Sequence, residues 1–134
     1  MNKLYGYLID SSVIYLPFQQ QLISNKGNAC QLRKTMSELL YFLMLHAEEG
    51  IVTDDEIIFN VWEKNKLTGT YSRLWQVMQD LKRKLSLVGI DSDLFIRVRG
   101  KGYHLTPEKI TPLYTRTTKF KKAVKDNQIT SPSA

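Results

Sequence analysis

Three cations and a histidine crowd into Arg97-Val98-Arg99-Gly100-Lys101-Gly102-Tyr103-His104. Charges at this spacing are poor core material, because each would have to be buried without a partner. They suit an anionic surface, and the interleaved glycines let backbone approach it closely. Apolar and polar residues alternate on both sides of the Gly-x-Gly, in Phe95-Ile96-Arg97-Val98 and Tyr103-His104-Leu105, which is the signal of a β-hairpin. Upstream, residues 73–87 read as a helix that is also basic. The chemistry on offer is the binding of an extended polyanion.

Catalytic chemistry finds little support. His46 lies near the end of a helical stretch and His104 in a strand, with no third metal ligand at useful spacing. Asp54-Asp55-Glu56 is explained by helix N-terminal charge rather than by a metal. Gly100-x-Gly102 is too short for a nucleotide fingerprint and lacks the following helix, and no serine sits in a nucleophile elbow. No catalytic residue, metal or cofactor is therefore expected. Cys30 is the single cysteine, so it forms no intrachain disulfide, and its flanks read as a strand holding a half-buried structural thiol.

The bulk numbers agree with one soluble domain. The chain has 134 residues, 43% hydrophobic and 24% charged, with net charge +6 and pI near 9.4. That length buries a core without disulfides or metals, and the basic balance favours polyanionic partners. Residues 1–10 lack the apolar core of a signal peptide. No run approaches the roughly 18–20 apolar residues of a membrane span.

The elements that position the charges follow from the hydrophobic period. Residues 4–9, 13–16, 20–24 and 29–32 read as short strands of a small antiparallel sheet, broken by Asp10-Ser11-Ser12, Pro17 and Asn25-Lys26-Gly27-Asn28. From Thr35 the spacing becomes helical through Met36, Leu39, Leu40, Leu43 and Ala47. Thr35-Met36-Ser37-Glu38 fits a capping box, and Gly50 closes this first helix. Thr53-Asp54-Asp55-Glu56 repeats the device before a second helix whose buried face is Ile57, Ile58, Val61 and Trp62. Thr70 caps a third helix that turns Leu74, Met78, Leu81 and Leu85 to the core. Its opposite face carries Arg73, Gln76, Val77, Asp80, Arg83 and Lys84. Pro107 and Pro112 mark the end of the folded unit, which makes residues 1–106 the domain and 107–134 a basic tail or linker, flexible from Thr118 onward.

This order, strands then helices then a hairpin, is an α+β arrangement. It resembles the OmpR/PhoB-type winged-helix effector domain of bacterial transcription regulators over residues 3–105. Four segments carry the resemblance: Thr35-Met36-Ser37-Glu38-Leu39-Leu40; residues 51–62, ending in Val61-Trp62; residues 73–85, with Leu81-Lys82-Arg83-Lys84-Leu85; and residues 96–105. The resemblance implies a winged helix-turn-helix with an N-terminal four-stranded antiparallel sheet, three helices and a C-terminal β-hairpin wing. It implies a sequence-specific regulator bound to double-stranded DNA, with the third helix in the major groove and the wing in the minor groove. A tandem homodimer on DNA, contact with RNA polymerase, and a cytoplasmic, nucleoid-associated location go with it. Control by an attached receiver domain is not expected. A basic tail after the effector domain also resembles the cytoplasmic part of ToxR/CadC-like membrane-bound activators, and the membrane becomes a partner only if a span follows residue 134. Asp80 is a departure, since the family often has arginine there.

Cations near phosphates release counterions and supply affinity without sequence preference, so specificity must come from base edges. The recognition candidates are Arg73 for guanine, Gln76 for adenine, Val77 for a thymine methyl and Asp80 for a cytosine amino group. Asp80 has the alternative task of orienting Arg73 or Lys84. Gln79 suits phosphate or an adenine edge, and Lys82, Arg83 and Lys84 suit phosphate. Arg99 suits a narrow minor groove, with Arg97 and Lys101 beside it on the wing. Each of these charges has a plain alternative as part of a solvated face. The whole domain has one too, as a protein-interaction module with weak or no DNA binding. Trp75 reads as core-flanking or as packing in a tandem dimer ahead of base stacking. Lys119, Lys121, Lys122 and Lys125 either touch DNA or anionic lipid, or belong to a soluble linker.

Overall fold

Tyr7, Ile9, Val13, Tyr15 and Leu22 are buried while Ile14 between them is exposed, and this period of two lays down an N-terminal sheet. The computed structural model describes residues 2–116. Strands β1 (Asn2–Ile9), β2 (Val13–Leu16), β3 (Gln21–Ser24) and β4 (Ala29–Gln31) form an antiparallel meander, as the sequence predicts. Helices α1 (Lys34–Leu45), α2 (Asp54–Val61) and α3 (Tyr71–Leu87) follow. Between α1 and α2 lies a two-residue strand, β5 (Val52–Thr53). The hairpin is β6 (Phe95–Val98) and β7 (Gly102–Leu105), and it extends β5 into a sheet of order β5-β7-β6.

The folded unit does not end at residue 106. Strand β8 (Ile110–Arg116) returns to pair antiparallel with β1, from Ile9↔Ile110 to Asn2↔Arg116. The N-terminal sheet therefore has five strands in the order β4-β3-β2-β1-β8, not four. Pro107 opens a short 3₁₀ turn, and Pro112 is tolerated because β8 is an edge strand, where a missing N–H need not break a ladder. The tail lysines at 119, 121, 122 and 125 lie outside the described residues.

Helix α1 also begins differently. Its N-cap is Arg33, whose side chain makes no capping bond, so Thr35 lies inside the first turn rather than at its head. The capping box at α2 forms as expected: the Thr53 hydroxyl accepts from the Glu56 N–H at 3.1 Å, and the Glu56 carboxylate accepts from the Thr53 N–H at 2.9 Å. The bond from the Thr53 N–H, and the Thr53 hydroxyl donating to the same carboxylate oxygen at 3.0 Å, hold the Glu56 carboxyl below the usual carboxylate range.

One core joins the parts. Leu39, Leu40 and Leu43 of α1, Ile57 and Val61 of α2, and Leu74, Met78, Leu81 and Leu85 of α3 are buried together with Trp62. The sheet is pinned to α1 by Tyr15, whose hydroxyl donates to the Ser37 carbonyl at 2.7 Å and lies 2.8 Å from the Ser37 hydroxyl.

Candidate nucleic-acid interface

The interface is built on α3. The Thr70 hydroxyl accepts from the Arg73 N–H at 3.0 Å and starts the helix. Burial of Leu74, Met78, Leu81 and Leu85 then fixes its rotation. At about 3.6 residues per turn, Ser72, Gln76, Gln79 and Arg83 fall on the crest opposite that stripe. Arg73, Val77, Asp80 and Lys84 fall on one flank, Tyr71 and Trp75 on the other. The sequence-derived recognition set is thus divided. Arg73 and Gln76 are exposed, whereas Asp80 is half-buried and Val77 is half-buried and packs against the core.

Asp80 orients neither Arg73 nor Lys84. Its carboxylate accepts from the Arg83 guanidinium at 2.8 Å and from the Gln76 amide at 3.2 Å. These bonds and the nearby Arg33 charge hold it below the ordinary aspartate range. Both bonding partners lie on its own helix at i+3 and i−4, a spacing at which side chains meet. Asp80 therefore takes up the charge of Arg83 and poses Gln76. Gln79, Lys82 and Lys84 are half-buried on the same helix.

On the flank away from the wing, Arg73, Val77 and Asp80 face Arg33, Lys34 and Met36 at the start of α1 across a cleft of about 580 Å³. Arg33 and Lys34 are exposed, and sequence reasoning overlooked both because they precede the helical period.

The other flank faces the wing. Tyr71, Trp75, Asp54, Arg97 and Tyr103 line a shared concavity there. Trp75 is 57% exposed, so it is not core-flanking. The wing is locked to α2: Arg97 makes two bonds to Asp54, at 2.6 and 3.0 Å, and its guanidinium carbon sits 4.7 Å from the centre of the Tyr103 ring. The Asp54 N–H donates to the Lys101 carbonyl at 2.9 Å. The Tyr71 hydroxyl donates to Asp55 at 2.6 Å, which pushes its pKa up. A Cβ on Gly102 would lie 1.9 Å from the Val52 carbonyl oxygen, so β7 rests on β5 backbone to backbone. At the tip the Lys101 N–H donates to the Val98 carbonyl at 2.9 Å, and Gly100 takes the positive φ of 74° that a turn of this kind requires. Arg99 and Lys101 are exposed there. Among the described residues, Arg73, Arg99 and Lys101 have no carboxylate within ion-pair distance.

A helical core preceded by an antiparallel sheet and followed by a hairpin that leans on α2 is a winged helix-turn-helix. Residues 27–105, more than half the chain, match the family described as "Transcriptional regulatory protein, C terminal". The chain belongs to that family, the OmpR/PhoB-type domain. Solved structures agree on the fold. The DNA-binding domain of E. coli CadC superposes with a TM-score of 0.69 at 22% identity, covering 84% of this chain and 100% of that one. The DNA-binding domain of E. coli CpxR gives 0.58 at 26% identity, covering 72% and 91%. The Klebsiella pneumoniae RstA DNA-binding domain, solved in complex with the RstA box, gives 0.57 at 22%, covering 72% and 92%. No curated protein matches the chain.

Proposed function

We propose that this chain is a sequence-specific regulator of transcription that binds double-stranded DNA with α3 in the major groove and the wing in the adjacent minor groove. One observation carries the reading: the polar crest of α3 lies between two sets of cations that the protein leaves unneutralised, Arg73 on one flank and Arg99 with Lys101 at the wing tip. Fixed charges without internal partners are what a polyanion recruits by counterion release. Family membership supports the same reading, and the RstA domain was solved in complex with the RstA box.

In this reading Gln76 and Gln79 reach base edges from the crest, with Gln76 posed by Asp80. Arg73 reaches a guanine or the adjoining backbone, and Val77 offers a methyl-sized apolar edge. Lys82 and Lys84 meet phosphates, while Arg83 stays paired with Asp80. Arg99 enters the minor groove and Lys101 accompanies it, while Arg97 holds the wing in place through Asp54. Tandem binding of two copies, contact with RNA polymerase and a cytoplasmic, nucleoid-associated location belong to the same proposal. Among the described residues no helix is long and apolar enough to cross a membrane.

The test is selection of bound genomic fragments followed by mobility shift at two salt concentrations. Binding should weaken steeply with salt, and Arg73→Ala combined with Arg99→Ala should abolish the specific footprint. A footprint that survives the double substitution overturns the assignment. Absence of salt-dependent binding in the unaltered chain favours a protein-interaction module.

A further inference from the structure

We propose that the cleft between the start of α1 and the flank of α3 is a seat for one backbone phosphate of DNA, gripped by Arg33 and Lys34 from one wall and Arg73 from the other. This rests on the DNA-binding reading above and adds a contact from an element outside the recognition helix and the wing.

The charge balance of the cleft points to an anion. Arg33, Lys34 and Arg73 all line it, and none of them pairs with a carboxylate among the described residues. Asp80 is the one carboxylate in its wall, and it is already engaged by Arg83 and Gln76. Arg33 lines the cleft together with Asp80, near enough for its charge to add to the Arg83 and Gln76 bonds in lowering that carboxyl. Three cations on facing walls make the potential between them positive, and an anion placed there is attracted by all three.

The rest of the lining suits a phosphodiester. Thr35 and Thr68 add hydroxyl donors, while Met36, Trp62 and Val77 give apolar walls that strengthen local electrostatics. Position selects a duplex strand as the source. The cleft shares Arg73, Val77 and Asp80 with the flank of α3, so a strand bordering the groove that holds the crest runs along its mouth. Arginine and lysine on adjacent positions also divide the work: a planar fork can take two phosphate oxygens while an ammonium acts as a point charge.

The experiment compares the unaltered chain with Arg33→Gln/Lys34→Gln, with Arg33→Lys, and with Lys26→Gln in the β3–β4 turn as a distant control. All these side chains are exposed, so the fold should be retained, which circular dichroism checks. Affinity for a duplex selected by the unaltered chain is measured by fluorescence anisotropy from roughly 50 to 300 mM salt, with phosphate ethylation and base methylation interference alongside. The double variant should flatten the logarithmic salt slope by about one, and lose about eightfold in affinity at ~0.1 M salt. Ethylation interference should weaken at a single phosphate of one strand, with methylation interference unchanged. Arg33→Lys should keep most of the slope, and Lys26→Gln all of it. A steep slope and an ethylation pattern that the double variant leaves intact overturn the cleft alone. A flat slope in the unaltered chain overturns the DNA-binding reading and this site with it.

Discussion

On the wing side of α3, cation meets carboxylate. Arg97 is forked onto Asp54, and Tyr71 is bonded to Asp55. On the α1 side, Arg33, Lys34 and Arg73 surround a cleft whose only carboxylate is engaged elsewhere. The helix starts differ in the same way: α2 caps itself with Thr53 and carries three acids in its first turn, whereas α1 starts at an arginine with no side-chain cap. On the wing side Arg97 is used to hold the wing and only the tip cations stay unpaired, whereas on the α1 side all three cations lining the cleft stay unpaired among the described residues. A basic residue therefore says little about a polyanion until its neighbours are known. Arg97 and Arg99 are two positions apart in sequence, yet only Arg99 is free of an internal partner among the described residues.

The contrast can be broken most severely at Gly102. Gly102→Ala puts a methyl group into the Val52 carbonyl, and because both sides of the contact are backbone no side chain can yield. A loss of about 3 kcal/mol or more in denaturant unfolding is expected, at the upper end of overpacking effects, with the wing unseated. Gly100→Ala meets no atom within 4 Å and suffers only its positive φ, so it should cost less, about 1 kcal/mol. Equal effects would mean that β7 does not lean on β5.

Arg97 and Arg99 sharpen the comparison. Arg99→Ala should lower DNA affinity by about eightfold at ~0.1 M salt, reduce the salt slope by about one, and leave the melting temperature unchanged. Arg97→Ala should lower the melting temperature, because Asp54 loses its partner, and should lower affinity with little change in slope. A double-mutant cycle between Arg97 and Asp54 should give a coupling of about 1 kcal/mol, high for a pair at the surface. If both arginines changed only the slope, the claim that Arg97 is structural would fall.

The smallest effect separates the two helix starts. Thr53→Ala should destabilise by about 1 kcal/mol through loss of the cap. Thr35→Ala should stay within about 0.5 kcal/mol, since no cap is lost there.

Features written in short-range periodicity were legible in the sequence. The buried stripe of α3, the capping box at Thr53, the Thr70 cap and the turn at Gly100 follow from spacing within a few residues, and all are present. What was illegible depended on distant partners. Strand β8 was hidden by Pro107 and Pro112, because proline signals an interruption and cannot reveal that the strand lies at an edge. The two residues of β5 are too short to show a period. The Arg97–Asp54 pair spans 43 residues, and only the folded chain brings it together. The partners of Asp80 stand three and four residues away, so the i, i+3 and i, i+4 rules could have found them.

Strand β8 has a mechanical consequence. Asn2 and Arg116 are opposite one another at the same end of the β1–β8 ladder. Tension drawn between these two positions would act across the strands and part their bonds one after another, starting at Arg116 and travelling towards Ile110. Such a ladder yields gradually, like a zip fastener, and a pull from that side is spent on peeling β8 before it strains the packing that holds α3.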